Sequence, residues 1–364
     1  MNTKRSGKPA AHATKAAQER LQMADIARLA GVATSTVSRA LKGSPLVNDA
    51  TRTRITELAR KYNYTINRNA TDLRSGTNHT IAVVVPYEEN RRQNFSDPFL
   101  HGMIGALADE LTERGYEMLL VRLDAERLDS VAPLVDGGRA AGVILIGQWH
   151  QHDQLNAMAD RGLPLVVWGA ALPDQRYCCV GGRNVEGGRL VGEHLLQQGC
   201  RRIAFLGDRA LPEVAQRYRG FMAAMRRHGL RHDPELRITS PFLAPAGRIA
   251  VLDLVDRKVR LDGIFAASDL LAMAAIGALR ERGLDVPRDI LVAGYDDVDF
   301  AAHFHPPLTT IRQSFPLGAR TMVSALLELL GEHDAGSSGL PHQLLTELIV
   351  RDSTLRDRTH EKAD

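Results

Sequence analysis

Apolar residues near the start of the chain recur at helical spacing in two short bursts. Within residues 25–41 (DIARLAGVATSTVSRAL), Ile26, Leu29 and Ala30 make one apolar stripe and Val37, Ala40 and Leu41 another, with Gly31-Val32 between them. The spacing predicts a helix over 25–30, a glycine turn and a second helix beginning near Thr34, which is the pattern of a helix-turn-helix. Asn48 is placed to cap a third helix, in which Ile55, Leu58 and Tyr62 recur at helical spacing and would close a small core on the first two. An ordinary helical hairpin carries the same stripes. The third helix and the positive charge gathered on this segment favour a DNA-reading head, whose second helix has a distinctive outward face. It offers Thr34, Ser35 and Arg39, small polar groups and a fork of donors suited to base edges in a major groove.

From His79 the pattern changes. Apolar runs starting at Ile81 (IAVVV), Tyr116 (YEMLLV), Gly142 (GVILI), Leu165 (LVVW), Arg202 (RIAFL), Gly263 (GIFA) and Ile290 (ILVAGY) read as strands. Helices are expected between them, near 98–114, 151–160, 185–198, 213–228, 268–282 and 316–330. Alternation of strand and helix with apolar strands predicts parallel sheets covered on both faces. The roughly 285 residues available suffice for two such halves, with a ligand in the cleft at the carboxyl ends of the strands.

Charge sharpens the division between head and body. Residues 1–75 hold 14 Lys/Arg against 5 Asp/Glu, a net +9, whereas the whole chain is only +3. Positive charge gathered on a small head is what a binder of the phosphate backbone needs. Residues 1–20 (MNTKRSGKPAAHATKAAQER) lack apolar periodicity and read as a disordered basic tail, not as a secretory signal. No apolar run approaches the length of a membrane span, so a cytoplasmic location is expected. Cys178, Cys179 and Cys200 fit that compartment and show no disulfide or metal spacing; of the adjacent pair, one buried and one exposed strand residue is expected. Phosphate-loop, nucleophile-elbow and zinc-protease motifs are absent. His150-x-His152 and His303-x-His305 read as solvated loop histidines, with no carboxylate or cysteine that completes a plausible metal set, so neither catalysis, cofactor nor metal is expected.

These motifs resemble those of the LacI/GalR (lactose-repressor/galactose-repressor) family of bacterial transcription regulators. In the head the matching stretches are DIARLAGV from Asp25, STVSRAL from Ser35, VNDATR from Val47, Tyr64 and NRNATDLRSG from Asn67. The resemblance implies base reading by Thr34, Ser35 and Arg39, and phosphate contacts by Thr36, Ser38 and Thr51. Asn67, Ala70 and Leu73 match the hinge, a segment too short to be a stable helix alone, with Leu73 as a minor-groove wedge. Two departures stand out. Ala33 replaces the usual serine cap of the second helix, and Ile66 the usual proline before the hinge. Further on, SDPF from Ser96, EGGRLVGEHL from Glu186, RYRGF from Arg217, ASDLLA from Ala267, VAGYDD from Val292, PPLTTIRQ from Pro306 and ELIVRDS from Glu347 resemble the family's effector domain.

The implied architecture is an all-α helix-turn-helix head (21–64), a hinge (65–78) and an α/β periplasmic-binding-protein-like effector domain (79–353), followed by a tail (354–364). Two parallel-sheet subdomains would divide the effector domain, one of about 79–182 and 312–342, the other of about 183–311. Effector-binding candidates are Asp269, whose carboxylate would accept two sugar hydroxyls, Arg217 as a donor fork, Trp168 and Phe99 as aromatic faces, and Ser96, Asp97 and Gln313 by family position. Asn184 is a doubtful member, because Arg183 stands where the family often has aspartate. The expected partners are double-stranded operator DNA, a second copy of the chain and a small sugar that releases the repressor. A purine-type co-repressed regulator is the alternative, and a stand-alone solute receptor a more distant one.

Overall fold

The computed structural model describes residues 21–41, 43–62, 64, 78–87, 95–332 and 342–356, in two compact units divided between Thr77 and Asn78. The hinge candidates Asn67, Ala70 and Leu73 and the basic tail lie outside the described residues.

In the first unit, α1 (Met23–Ala30), α2 (Thr34–Leu41) and α3 (Asp49–Lys61) surround a core of Ile26, Ala27, Ala30, Val37, Ala40, Val47 and Ile55. The backbone N–H of Gln22 donates to the Asp25 carboxylate, closing the start of α1. Gly31, at φ 64°, ends it: the Val32 N–H reaches the Ala27 carbonyl at 3.0 Å, a left-handed stop that a side chain would strain. Asn48 caps α3, its Oδ1 accepting from the Thr51 N–H at 2.8 Å. Two positions differ from the apolar stripes read in the sequence. Leu29 and Tyr62 are exposed, and Ala27 and Ala59 are buried in their stead. The small residues let the helices approach.

In the second unit, β1 (Thr80–Tyr87), α4 (Pro98–Glu113), β2 (Glu117–Asp124), α5 (Ala132–Asp136), β3 (Gly142–Ile146), α6 (His152–Asp160), β4 (Leu165–Trp168) and β5 (Cys178–Gly182) build one half. The other contains α7 (Asn184–Gln197), β6 (Ile203–Leu206), α8 (Pro212–Arg227), β7 (Arg237–Ile238), α9 (Ala244–Asp256), β8 (Gly263–Ala266), α10 (Asp269–Glu281) and β9 (Leu291–Ala293). The chain then runs through β10 (Thr310–Arg312) into α11 (Phe315–Leu329) and β11 (His342–Leu344), and finally β12 (Glu347–Ile349). Among the described residues the first sheet has the order β11-β5-β4-β3-β1-β2 and the second β7-β6-β8-β9, every pairing parallel. Successive residues of β1 enter different cores: Ile81, Val83 and Val85 pack with α4 and α11, while Ala82 and Val84 pack on the opposite face. Both faces of the sheet are therefore covered, and the strand reads as an unbroken apolar run. For the same reason Cys178 and Cys179 are both buried, where one exposed residue had been expected.

The halves are tied by repeated crossings. After β5 the chain enters the second half, β10 and α11 return it to the first, and β12 pairs antiparallel with β10 on the way back. There Ser353 accepts from the Thr309 N–H (2.8 Å) and donates to the Val292 carbonyl (2.7 Å), fastening the chain's last described turn to β9. No helix among the described residues is long and apolar enough to cross a membrane.

Candidate functional site

In the head, the second helix turns Thr34, Ser35 and Arg39 to solvent, while Thr36, Ser38 and Thr51 are half-buried. Val37 and Ala40, on the opposite face of α2, are held in the core. The helix thus presents donors and hydroxyls on a rigid support. Ala33 gives α2 no side-chain cap, and its carbonyl instead accepts the N–H groups of Thr36 (2.9 Å) and Val37 (3.2 Å).

In the second unit a cleft of about 680 Å³, measured with its open mouth, lies between the two halves. One wall comes from strand ends and a helix start of the first half, with Asp97, Phe99, Ile146, Trp149 and Trp168. The other comes from the second half, with Asn184, Glu213, Arg217, Phe242, Ser268 and Asp296, and Gln313 sits on a crossing segment. Asp97 caps α4, its carboxylate accepting the Phe99 N–H at 3.0 Å. That cap aims the Phe99 ring at Trp168, with centroids 6.3 Å apart, and at Phe315, 5.5 Å away edge-on.

Arg217 is buried and heavily engaged. Its Nε donates to Asn184 Oδ1 at 2.9 Å, its Nη1 to the Ala267 carbonyl at 2.5 Å, and its guanidinium lies 3.8 Å from the centroid of the Tyr295 ring. Glycines let the backbones bring it there. A Cβ on Gly188 of α7 would fall 1.9 Å from the Arg217 carbonyl, and one on Gly220 would meet Val185 as closely. Asp296, at φ 126°, accepts from Gln313 Nε2 at 2.8 Å, joining the second half to the crossing segment. Burial holds the Asp296 carboxyl well above its ordinary value, against the pull of Arg217. Burial likewise raises Glu213. Across the mouth, Gln216 Nε2 of α8 donates to the Ala171 carbonyl of the first half at 2.7 Å.

Of the candidates read from sequence, Asp97, Phe99, Trp168, Arg217 and Gln313 meet on this cleft. Asn184, thought doubtful, is on it too. Ser96 is exposed and off the lining. Asp269 is corrected: it is fully buried, its carboxylate accepting the Val298 N–H at 3.0 Å and the Thr310 hydroxyl at 2.5 Å. The helix does open at Asp269, as the sequence reading had it, but that position points inward. Ser268 is the cap and faces the cleft, which turns Asp269 into the body to brace the Val298 and Thr310 segments. Trp149, Glu213, Phe242 and Asp296 were not read as site residues. Trp149 had a usable signal, since it follows the strand GVILI much as Trp168 ends LVVW. No group of His, Cys, Asp or Glu among the described residues is arranged to hold a metal.

The head and the second unit each match a known family. A model of bacterial regulatory proteins of the lacI family matches residues 22–67, and one of a periplasmic binding protein-like domain matches residues 193–354. The HTH-type transcriptional regulator CelR of Thermobifida fusca is 34% identical over 338 residues, spanning 90% of this chain and 96% of CelR. The chain belongs to the lacI family of bacterial regulatory proteins. Other relatives of this lacI-family regulator are the HTH-type transcriptional repressors CytR of Escherichia coli (strain K12; 29% identical, 91% of this chain, 96% of CytR) and PurR of Mannheimia succiniciproducens (28%, 90% and 97%). A solved structure of a CelR–cellobiose complex superposes with a TM-score of 0.67 at 31% identity, over 92% of this chain and 100% of that one. A lac repressor dimer bound to operator and the anti-inducer ONPF shares the fold, with a TM-score of 0.80 at 24% identity over 93% of this chain and 100% of that one. The lacI-family chain is thus a DNA-binding transcriptional regulator whose head and ligand-sized cleft lie in separate units.

Proposed function

We propose that this regulator is a cytoplasmic, homodimeric repressor, freed from a near-palindromic operator when an uncharged sugar enters the cleft. The observation that carries the reading is the composition of that cleft. Aromatic faces at Phe99, Trp149, Trp168 and Phe242 share the lining with hydroxyl-binding groups at Asn184, Arg217, Asp296 and Gln313. Flat apolar faces with a few fixed polar groups suit the C–H faces and hydroxyls of a pyranose. Binding is the cleft's task, with no reaction performed on the ligand. A two-fold pair of heads reads two half-sites. The effector acts allosterically by binding more tightly to one arrangement of the halves than to the other. The structure of a CelR–cellobiose complex supports a glucose-containing ligand. The repressor PurR among the relatives favours a second reading, in which a purine tightens DNA binding.

The deciding experiment measures affinity for the DNA upstream of the gene at fixed salt, alone and with cellobiose, glucose, other sugars and purines. Release by a sugar is the expected result. Tightening by a purine would transfer the chain to the second reading, and failure to prefer the upstream DNA over random DNA would end both. In the same assay Arg39→Ala is expected to weaken specific binding by about 1–3 kcal/mol and to relax base preference.

A further inference from the structure

We propose that Trp149 and Glu213 form a specificity subsite between the two halves of the cleft, taking an uncharged hydroxylated ring and turning away anionic ligands such as phosphorylated sugars. This rests on the sugar reading above and narrows it. Trp149 leaves the end of β3 at φ 50°, a left-handed conformation that costs a bulky residue energy. Gly147, at φ 100°, lies just before it, and a Cβ there would come within 3.3 Å of the indole nitrogen. The strained turn carries the indole out of its own half. Trp149 packs in the core cluster of the second half, with Leu211 and Val214. Leu211 stands at the cap of α8 and Val214 lies in its first turn, on either side of Glu213, so this packing brings the first wall's indole to the part of the cleft that Glu213 lines.

The charges lining the cleft decide what that part accepts. Asp97, Glu213 and Asp296 are acids, and Arg217 is the one cation among the described lining residues. Arg217 is already committed to Asn184, Ala267 and the face of Tyr295. Asp97 caps a helix, and Asp296 is held by Gln313. Glu213 differs, because its Oε2 is buried without a hydrogen-bond partner among the described residues. Leaving a buried carboxylate oxygen unpaired is costly, and a hydroxyl donor from a ligand would relieve it. A phosphate brought to the same place would meet an acid and, among the described lining residues, no uncommitted cation, so its lost hydration would be poorly compensated.

The test is calorimetric titration of the full-length chain and of E213Q, E213K and W149A with cellobiose, glucose and glucose 6-phosphate. Thermal midpoint and sugar-free operator binding check that each variant folds. The natural chain is expected to bind cellobiose or glucose at least about tenfold more tightly than glucose 6-phosphate, the scale of one charge-assisted hydrogen bond. E213Q should narrow that ratio and E213K narrow it further, while W149A weakens the neutral sugar and leaves the ratio unchanged. The proposal is overturned if glucose 6-phosphate binds as well as glucose, if both Glu213 variants leave the ratio within about twofold, or if W149A binds neutral sugar normally. If none of the three sugars binds while a purine does, the sugar reading itself has failed and takes the subsite with it.

Discussion

The two walls of the cleft are made in different ways. The first half contributes rings, Phe99, Trp149 and Trp168, each carried by a strand end or a helix start; Phe99 and Trp168 are backed by its own core, while Trp149 reaches the core of the second half. The second half contributes, beside the ring of Phe242, mainly hydrogen-bonding groups, and these are held by other polar groups: Arg217 by Asn184 and the Ala267 carbonyl, and Asp296 by Gln313. A ring on an apolar support supplies contact area with little directional demand. A polar group fixed by polar neighbours supplies direction and punishes a wrong ligand with unpaired atoms. The comparison teaches that tightness of binding resides mainly in the first wall and choice of ligand mainly in the second.

Three substitutions put pressure on that contrast. Arg217→Ala should have the largest effect, because it removes the ligand donor and also orphans Asn184 and Ala267. Operator release by sugar is expected to need about 10- to 100-fold more ligand, with a stability loss of about 1–3 kcal/mol per unpaired partner seen in thermal unfolding. A normal response would show that the polar wall does not select. Trp168→Leu should act more gently, weakening all ring-shaped ligands about 3- to 10-fold with their rank order kept. A changed rank order would erase the distinction between the walls.

The third concerns the support behind the polar wall. Burial pushes the Asp269 carboxyl up to about 7, with the bonds from Thr310 and the Val298 N–H opposing the shift and the charge of Asp297 adding to it. Between its unfolded value of about 4 and that folded value, the native chain binds the proton more tightly than the unfolded one. This group's contribution to stability is therefore complete below pH about 4 and is lost as pH rises through about 7. Asp269→Asn should flatten the decline of thermal midpoint from pH 5 to 8, a change of about 2–4 °C for each kcal/mol involved. An unaltered slope would place the titration on other carboxyls.

Much of this was readable from sequence for reasons that also mark where reading stopped. Strands such as IAVVV and GIFA are legible because both their faces are buried. Cys178 and Cys179 were read as strand residues, but the whole run Cys178–Gly182 was not among the clear strands because two glycines shorten its apolar stretch; Gly181 is needed where a Cβ would strike the Gly169 carbonyl at 1.8 Å. The helix Ala244–Asp256 was not among those expected; Pro241 stands just before it and Pro245 in its first turn. In the site, Trp168 and Phe99 were found because they adjoin clear elements. Asp269 was misplaced because neighbouring residues at a helix start point in different directions, and sequence does not say which is the cap. Glu213 and Trp149 act together only through packing between halves, which leaves no local pattern.

One arrangement has an optical consequence. The chain contains two tryptophans, and both line the cleft. Its tryptophan emission, excited at the red edge where tyrosine does not absorb, therefore originates at the place where a ligand would sit. Unlabelled protein, titrated in a cuvette and excited where indole absorbs, would report occupancy of the cleft directly.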